Sequence, residues 1–208
     1  YKNFVSDEQR ILYDPSLDYF KQCIKEGIEP VTFEISGPRE KIYFEPQKTK
    51  CAIVTCGGLC PGLNNVIRAI VLELYFMYGV KNIHGIKYGY QGLIPEFGHE
   101  LIELNPKVVS NINELGGSIL SSSRGIYDIS EIVDSLERLN INILFTIGGD
   151  GTLRGALKIT EEILKRGYKC SVIGIPKTID NDINLVAKSF GFQTAVEIAS
   201  EAITSAHT

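Results

Sequence analysis

From Cys51 onward, short β-branched runs alternate with stretches of helical spacing. "CAIVT" at 51–55 predicts a strand. Behind it Leu63, Val66, Ile67, Ile70, Val71 and Leu74 recur at i, i+3, i+4, i+7 and i+8, the stripe of a helix with one core-facing side. "NIHGIK" predicts a second, weaker strand. After a loop-rich stretch over 88–99, Pro106 opens a short predicted helix, "PKVVSNINEL", and "SILSS" reads as a further strand. Ile129, Ile132, Val133, Leu136 and Leu139 form the next helical stripe, followed by the continuous apolar strand "INILFTI". A helix over about 153–165, the strand "CSVIGI" and a closing helix over about 189–206 complete the series. Strands apolar on both faces and separated by helices predict an α/β fold, a three-layer Rossmann-like parallel sheet with helices on both faces.

The first 50 residues lack this rhythm. They carry turn-forming and charged clusters ("DPSLD", "SGPREK", "FEPQKTK") and predict an extension or surface arm, so the expected organisation is 1–50 as extension and 51–208 as the α/β domain. The sequence starts at Tyr and stops within a helical pattern, as expected for a piece of a longer protein. No internal repeat or low-complexity segment is seen.

Composition narrows the function classes. With 44% hydrophobic and 22% charged residues the chain is ordinary for a globular protein, and 21 basic against 25 acidic residues give a net charge of −4. That balance argues against a nucleic-acid partner, which basic side chains would have to attract. The longest apolar candidate, "AIVLELYFMYGV", is short of the roughly 20 residues of a membrane span and is interrupted by Glu73. No membrane segment or signal peptide is expected. Five cysteines at spacings that match no zinc or redox template predict small buried thiols and a cytoplasmic protein, although Cys56 and Cys60 flank a glycine-rich loop where a reactive thiol is conceivable.

In such folds ligands bind beyond the carboxyl ends of the strands, which singles out three loops. After "CAIVT" comes "CGGLCPGLNN", where Gly57, Gly58 and Gly62 let backbone N–H groups approach an anion at a helix start. A glycine turn that merely reverses the chain has the same composition. After "INILFTI" comes "GGDGTLRGA": Gly148 and Gly149 free the backbone, Asp150 offers a carboxylate, and Gly151 with Thr152 opens a helix. An N-cap aspartate would need fewer glycines, so phosphate with magnesium at Asp150 is the expected chemistry. After "CSVIGI" comes "PKTIDND", in which Lys177 supplies a positive charge and Thr178, Asp180, Asn181 and Asp182 alternate donors with carboxylates. Asx-turn propensity accounts for part of this composition. Two carboxylates beside a lysine also suit proton abstraction from a hydroxyl with phosphate nearby. A fourth segment, "GGSILSSSRG", ends on Arg124, a residue type suited to a phosphoryl group in transfer and equally common as a surface cation.

Taken in order, "GGLCPGLN", "GYQGL", "GGSILSSSRG", "IGGDGTLRGA", "PKTIDND" and "SFGFQTAVEIA" resemble the 6-phosphofructokinases, from about residue 37 to the last residue. "GPREKIYFEP" is similar to the lead-in of the plant, protist and bacterial branch. The resemblance implies a glycolytic, allosterically regulated enzyme that transfers the terminal phosphoryl group of ATP, or of pyrophosphate in one branch, to the 1-hydroxyl of fructose 6-phosphate. It implies Asp180 as general base, Asp182 as its support and Asp150 as the Mg2+-associated carboxylate. Gly57, Gly58, Tyr90, Gly149, Gly151, Thr152 and Lys177 match donor-binding positions, Thr178 matches a sugar-phosphate contact, and Arg124 matches the arginine on the transferring group. The pyrophosphate branch typically has Asp where Gly151 stands, which favours ATP, whereas Lys177 resembles the pyrophosphate enzymes. ATP enzymes of the plant and trypanosome type combine both features. The family's second domain is largely missing from this sequence, and with it the remaining sugar-phosphate contacts. The family also implies a homo-oligomer, dimer or tetramer. Two other readings stay open: a pyrophosphate-dependent enzyme, and a nucleotide-binding regulatory subunit without chemistry.

Overall fold

The computed structural model describes residues 3–207. The chain divides after Tyr43 into two compact units. In the first, strand β1 (Arg10–Leu12), helix α1 (Leu17–Glu26) and strand β2 (Thr32–Glu34) follow one another, and the strands pair antiparallel. Ser16 caps α1 by accepting from the Tyr19 N–H, and Gly27 closes it in the left-handed conformation. The irregular sequence of this region thus hides a strand–helix–strand unit.

The second unit contains β3 (Lys50–Thr55), α2 (Leu63–Leu72), β4 (Asn82–Ile86), β5 (Ile102–Glu103), α3 (Ile129–Arg138), β6 (Ile143–Gly148), α4 (Asp150–Arg166), β7 (Ser171–Pro176) and α5 (Phe192–His207). The five strands form one sheet in the order β5-β4-β3-β6-β7. All neighbours are parallel except β5, a two-residue edge strand that returns antiparallel along β4, so the sheet is mixed where the sequence predicted parallel.

Alternation along β3 builds both cores. Cys51 and Ile53 face α2, with Leu63, Ile67 and Val71. Ala52 and Val54 face α3 and α4, with Ile132, Leu136, Ile159 and Ile163. These are the three layers the periodicity predicted. The helix α2 runs on into a single π-turn, Glu73–Met77, where the Tyr78 N–H reaches the Glu73 carbonyl.

Two predicted elements are corrected. "PKVVSNINEL" is a run of turns ending in a 3-10 turn, Ile112–Glu114. Asn105 Oδ1 accepts from the Lys107 and Val108 N–H groups and Ser110 Oγ donates to the Lys107 carbonyl, local bonds that compete with helix formation. "SILSS" is not a strand. Ser121 has φ 56°, and its carbonyl accepts from the Thr55 hydroxyl at 2.6 Å instead of joining a ladder.

Candidate active site

The chain leaves β3 toward β4 and β5 on one side of the sheet and returns to β6 and β7 on the other, so the order reverses between β3 and β6. A crevice opens there beyond the strand ends. Parallel register keeps the ends level: Thr55 lies opposite Ile147, and Gly148 opposite Pro176. The three glycine- and aspartate-bearing loops therefore emerge side by side.

Serine hydroxyls fasten a fourth segment across them. Ser122 Oγ donates to the Gly57 carbonyl at 2.6 Å, and the Gly57 N–H donates to the Ser123 carbonyl at 3.0 Å. Ser123 Oγ donates to the Tyr88 carbonyl at 2.5 Å. These bonds carry Arg124 over Gly58, whose absent Cβ would lie 3.4 Å from the guanidinium, so glycine permits this close approach. Arg124 makes no hydrogen bond or ion pair among the described residues and is exposed. Its five N–H donors are open to a ligand.

Two adjoining cavities occupy the crevice. In the first, of about 360 Å³, all nine predicted donor residues come together: Gly57, Gly58, Tyr90, Arg124, Gly149, Asp150, Gly151, Thr152 and Lys177. The second, of about 320 Å³, holds Thr178, Asp180 and Asp182. Gly58, Arg124, Gly149, Asp150 and Lys177 belong to both. The shared wall thus carries two cations, one carboxylate and two glycines, with the remaining carboxylates on one side only.

Lys177 is 6% exposed, and its ammonium donates to the Gly58 carbonyl at 2.5 Å. It has no carboxylate partner among the described residues. A buried cation satisfied by one carbonyl is an incomplete arrangement that an anion in the crevice would complete. The helix α4 begins at Asp150, with Gly149 as its N-cap residue in extended conformation, and the Asp150 and Gly151 N–H groups have no intrahelical acceptor. Asp150 itself is exposed and sits 3.4 Å from Arg154 on the next turn.

Some predicted residues are already engaged. The Tyr90 hydroxyl donates to the Thr152 carbonyl at 2.9 Å, and burial pushes its pKa well above the phenol range, so Tyr90 offers a ligand its ring and not its proton. Thr178 Oγ1 donates to Asp182 Oδ1 at 2.6 Å and accepts from the Asp180 N–H at 3.1 Å, which makes this hydroxyl an internal strut of the loop. Cys56 lines the first cavity as a thiol, pushed up to about 11 by burial, and is not a reactive nucleophile near neutral pH.

Sequence reasoning missed the apolar wall of the first cavity, where Ile126 and Tyr127 extend it beyond the phosphate-sized cradle. Ile126 is fully exposed. Their only signal was position just after Arg124. For magnesium, no group of three or more His, Cys, Asp or Glu side chains forms a metal cage among the described residues. Among the described residues Asp150 is the one carboxylate lining the first cavity, a donor set that fits an ion carried mainly by phosphate oxygens and water.

Fold and crevice together define a doubly wound α/β domain with a cation-lined, two-chambered site at its switch point. The family model described as "Phosphofructokinase" matches residues 50–208. The chain belongs to the phosphofructokinase family. It is 55% identical over 205 residues to the ATP-dependent 6-phosphofructokinase of Borreliella burgdorferi, covering 99% of this chain and 45% of that protein. It is 47% identical over 207 residues to the ATP-dependent 6-phosphofructokinase of Trypanosoma cruzi, covering 99% and 43%. ATP-dependent 6-phosphofructokinase 7 of Arabidopsis thaliana is 54% identical over 183 residues, covering 88% and 37%. The chain therefore spans less than half the length of these relatives. Among solved structures, phosphofructokinase from Saccharomyces cerevisiae superposes with a TM-score of 0.65 at 24% identity, over 77% of this chain and 24% of that one. This likeness concerns the fold.

Proposed function

We propose that the full-length protein transfers the terminal phosphoryl group of ATP to the 1-hydroxyl of fructose 6-phosphate, giving fructose 1,6-bisphosphate in glycolysis. The observation that carries this reading is the pair of cavities sharing Arg124, Lys177 and Asp150, with carboxylates Asp180 and Asp182 confined to the second. A donor polyphosphate fits the first chamber and a hydroxyl-bearing acceptor the second. Phosphoryl transfer needs mainly alignment and charge neutralisation, and the shared wall supplies both.

In this reading Asp180 takes the proton from the sugar hydroxyl. Asp182, held by Thr178, supports it, and Thr178 adds a sugar-phosphate contact as the strut opens. Arg124 neutralises the group in transfer, while Lys177 and the free N–H groups of Asp150 and Gly151 hold donor oxygens. Gly57, Gly58, Gly149, Tyr90 and Thr152 shape the chamber. Mg2+ at Asp150 would neutralise donor charge when bound. The apolar extension at Ile126 and Tyr127 suits a nucleoside and is superfluous for pyrophosphate, which supports ATP as donor. Residues 51–208 form the donor-binding domain with the catalytic loop, and 1–50 an extension. The similarity to ATP-dependent 6-phosphofructokinases supports the same activity. A cytoplasmic location fits helices none of which, among the described residues, is long and apolar enough to cross a membrane. A homo-oligomer completes the proposal.

The deciding experiment is a coupled assay of the full-length protein with magnesium and fructose 6-phosphate, supplied with ATP or with pyrophosphate. Turnover with ATP alone is expected. Turnover with pyrophosphate alone refutes the donor assignment, and none with either supports a regulatory subunit.

A further inference from the structure

Between Lys177 and Ser189 the chain has no regular secondary structure, yet it must present Asp180 and Asp182 to the second cavity. One backbone bond inside the stretch, Val186 N–H to the Ile183 carbonyl at 3.2 Å, leaves the carboxylates untouched. Their placement rests on side chains. Thr178 spans the start of the loop, as described above. Asn181, flanked by the two aspartates, spans its length: its Oδ1 accepts from the Ser189 N–H at 2.7 Å and its Nδ2 donates to the Ala187 carbonyl at 3.4 Å. Ser189 is buried and donates its hydroxyl to the Thr178 carbonyl at 3.2 Å. The loop is thus closed on itself through one asparagine.

The backbone of Asn181 adds a constraint of its own. It has φ 54°, in the left-handed region where Asn is among the few side-chain-bearing residues tolerated. That turn sets the direction of the chain between the two carboxylates.

We propose that Asn181 is a positioning residue for phosphoryl transfer: by clamping the loop's far end and holding a left-handed turn, it fixes the carboxylate of Asp180 toward the acceptor chamber. This rests on the proposed function, in which Asp180 is the base. A base displaced by about 1 Å loses on the order of a hundredfold in rate.

The test compares Asn181→Gly, Asn181→Asp and wild type in the full-length protein. Glycine keeps the left-handed turn and deletes the clamp; aspartate keeps the Oδ1 acceptor. For Asn181→Gly we expect kcat to fall about tenfold to a hundredfold, with KM for ATP and the melting temperature little changed, and faster deuterium uptake at the Ser189 amide. For Asn181→Asp we expect the Ser189 amide to stay protected. Wild-type kcat in Asn181→Gly, or unchanged protection of its Ser189 amide, overturns the proposal. Should Asn181→Gly not fold, a deprotected Ser189 amide in Asn181→Asp overturns it instead. If wild type shows no phosphotransfer at all, the functional reading fails, and exchange at Ser189 still decides whether Asn181 holds the loop.

Discussion

Gly151→Asp separates donor recognition from folding. A Cβ at this position meets no heavy atom within 4 Å, and its φ is not in the left-handed region, so the new side chain enters the first cavity without strain. Replacing this glycine by aspartate, itself a weak helix former, contributes only about 0.3 kcal/mol, and an acid in the first turn of α4 adds about 0.3–1 kcal/mol, offset in part by repulsion from Asp150 next to it. The expected melting temperature is therefore unchanged or higher by up to about 4 °C. Donor binding behaves oppositely. A carboxylate about 5 Å from a phosphate charge costs on the order of 3 kcal/mol at an effective dielectric of about 20, less after screening by solvent and magnesium. A loss of about 1.4–2.7 kcal/mol corresponds to roughly tenfold to a hundredfold in kcat/KM for ATP. The assay is steady-state kinetics on the full-length protein with ATP varied at saturating fructose 6-phosphate, and then the reverse, beside thermal unfolding. An unchanged kcat/KM for ATP would show that the donor does not pass Gly151. A collapse in melting temperature would refute the steric argument.

Asp180→Asn is expected to lower kcat by about 10²–10⁴ with sugar-phosphate binding preserved; turnover near wild type in a coupled assay excludes Asp180 as the base. Lys177→Met removes a buried ammonium held by one carbonyl, so the free protein should be as stable as wild type or more so in urea unfolding, while kcat/KM for ATP falls at least tenfold, about 1.4 kcal/mol. Loss of stability together with unchanged kinetics would make Lys177 a structural residue only. Cys56, pushed up to about 11 by burial, should resist alkylation at pH 8 and react only as the pH climbs past 10, where thiolate accumulates; mass spectrometry showing its modification at pH 7.5 contradicts this. Gly191→Ala should destabilise by at least about 2 kcal/mol: Gly191 has φ 83° and an added Cβ would overlap the Pro61 carbonyl oxygen, so denaturant unfolding at wild-type midpoint would show that the approach relaxes freely.

Much of this molecule was legible without coordinates. The strands β3, β6 and β7 and helices α2, α3 and α4 follow from apolar periodicity, because burial on one face or two leaves its period in the sequence. The loops bearing Gly57, Asp150 and Asp180 were legible because their glycines and charged residues exceed what an ordinary turn requires, and all three line the crevice. Reading failed where local side-chain bonds outweigh periodicity. Asn105 and Ser110 turned a predicted helix into turns, and the Thr55 hydroxyl diverted the Ser121 carbonyl from a predicted strand. The unit built from β1, α1 and β2 was hidden because its strands span only three residues each and α1, though as long as α2, buries only Cys23 and so has no buried apolar stripe.

The sequence by itself determined the layers, the order of the loops and the residue types at the strand ends, since each is a property of neighbouring positions. Only the tertiary structure decided that these loops share one crevice with two chambers, because that follows from the strand order reversing between β3 and β6. It also decided which groups are free to act. Among the described residues Arg124 is unpartnered and Lys177 half-satisfied, while the Tyr90 and Thr178 hydroxyls are committed to protein partners. The partners of Lys177 and Tyr90 lie 119 and 62 residues away, beyond the reach of a linear pattern, while Thr178 bonds within its own loop in a geometry that only the folded chain fixes.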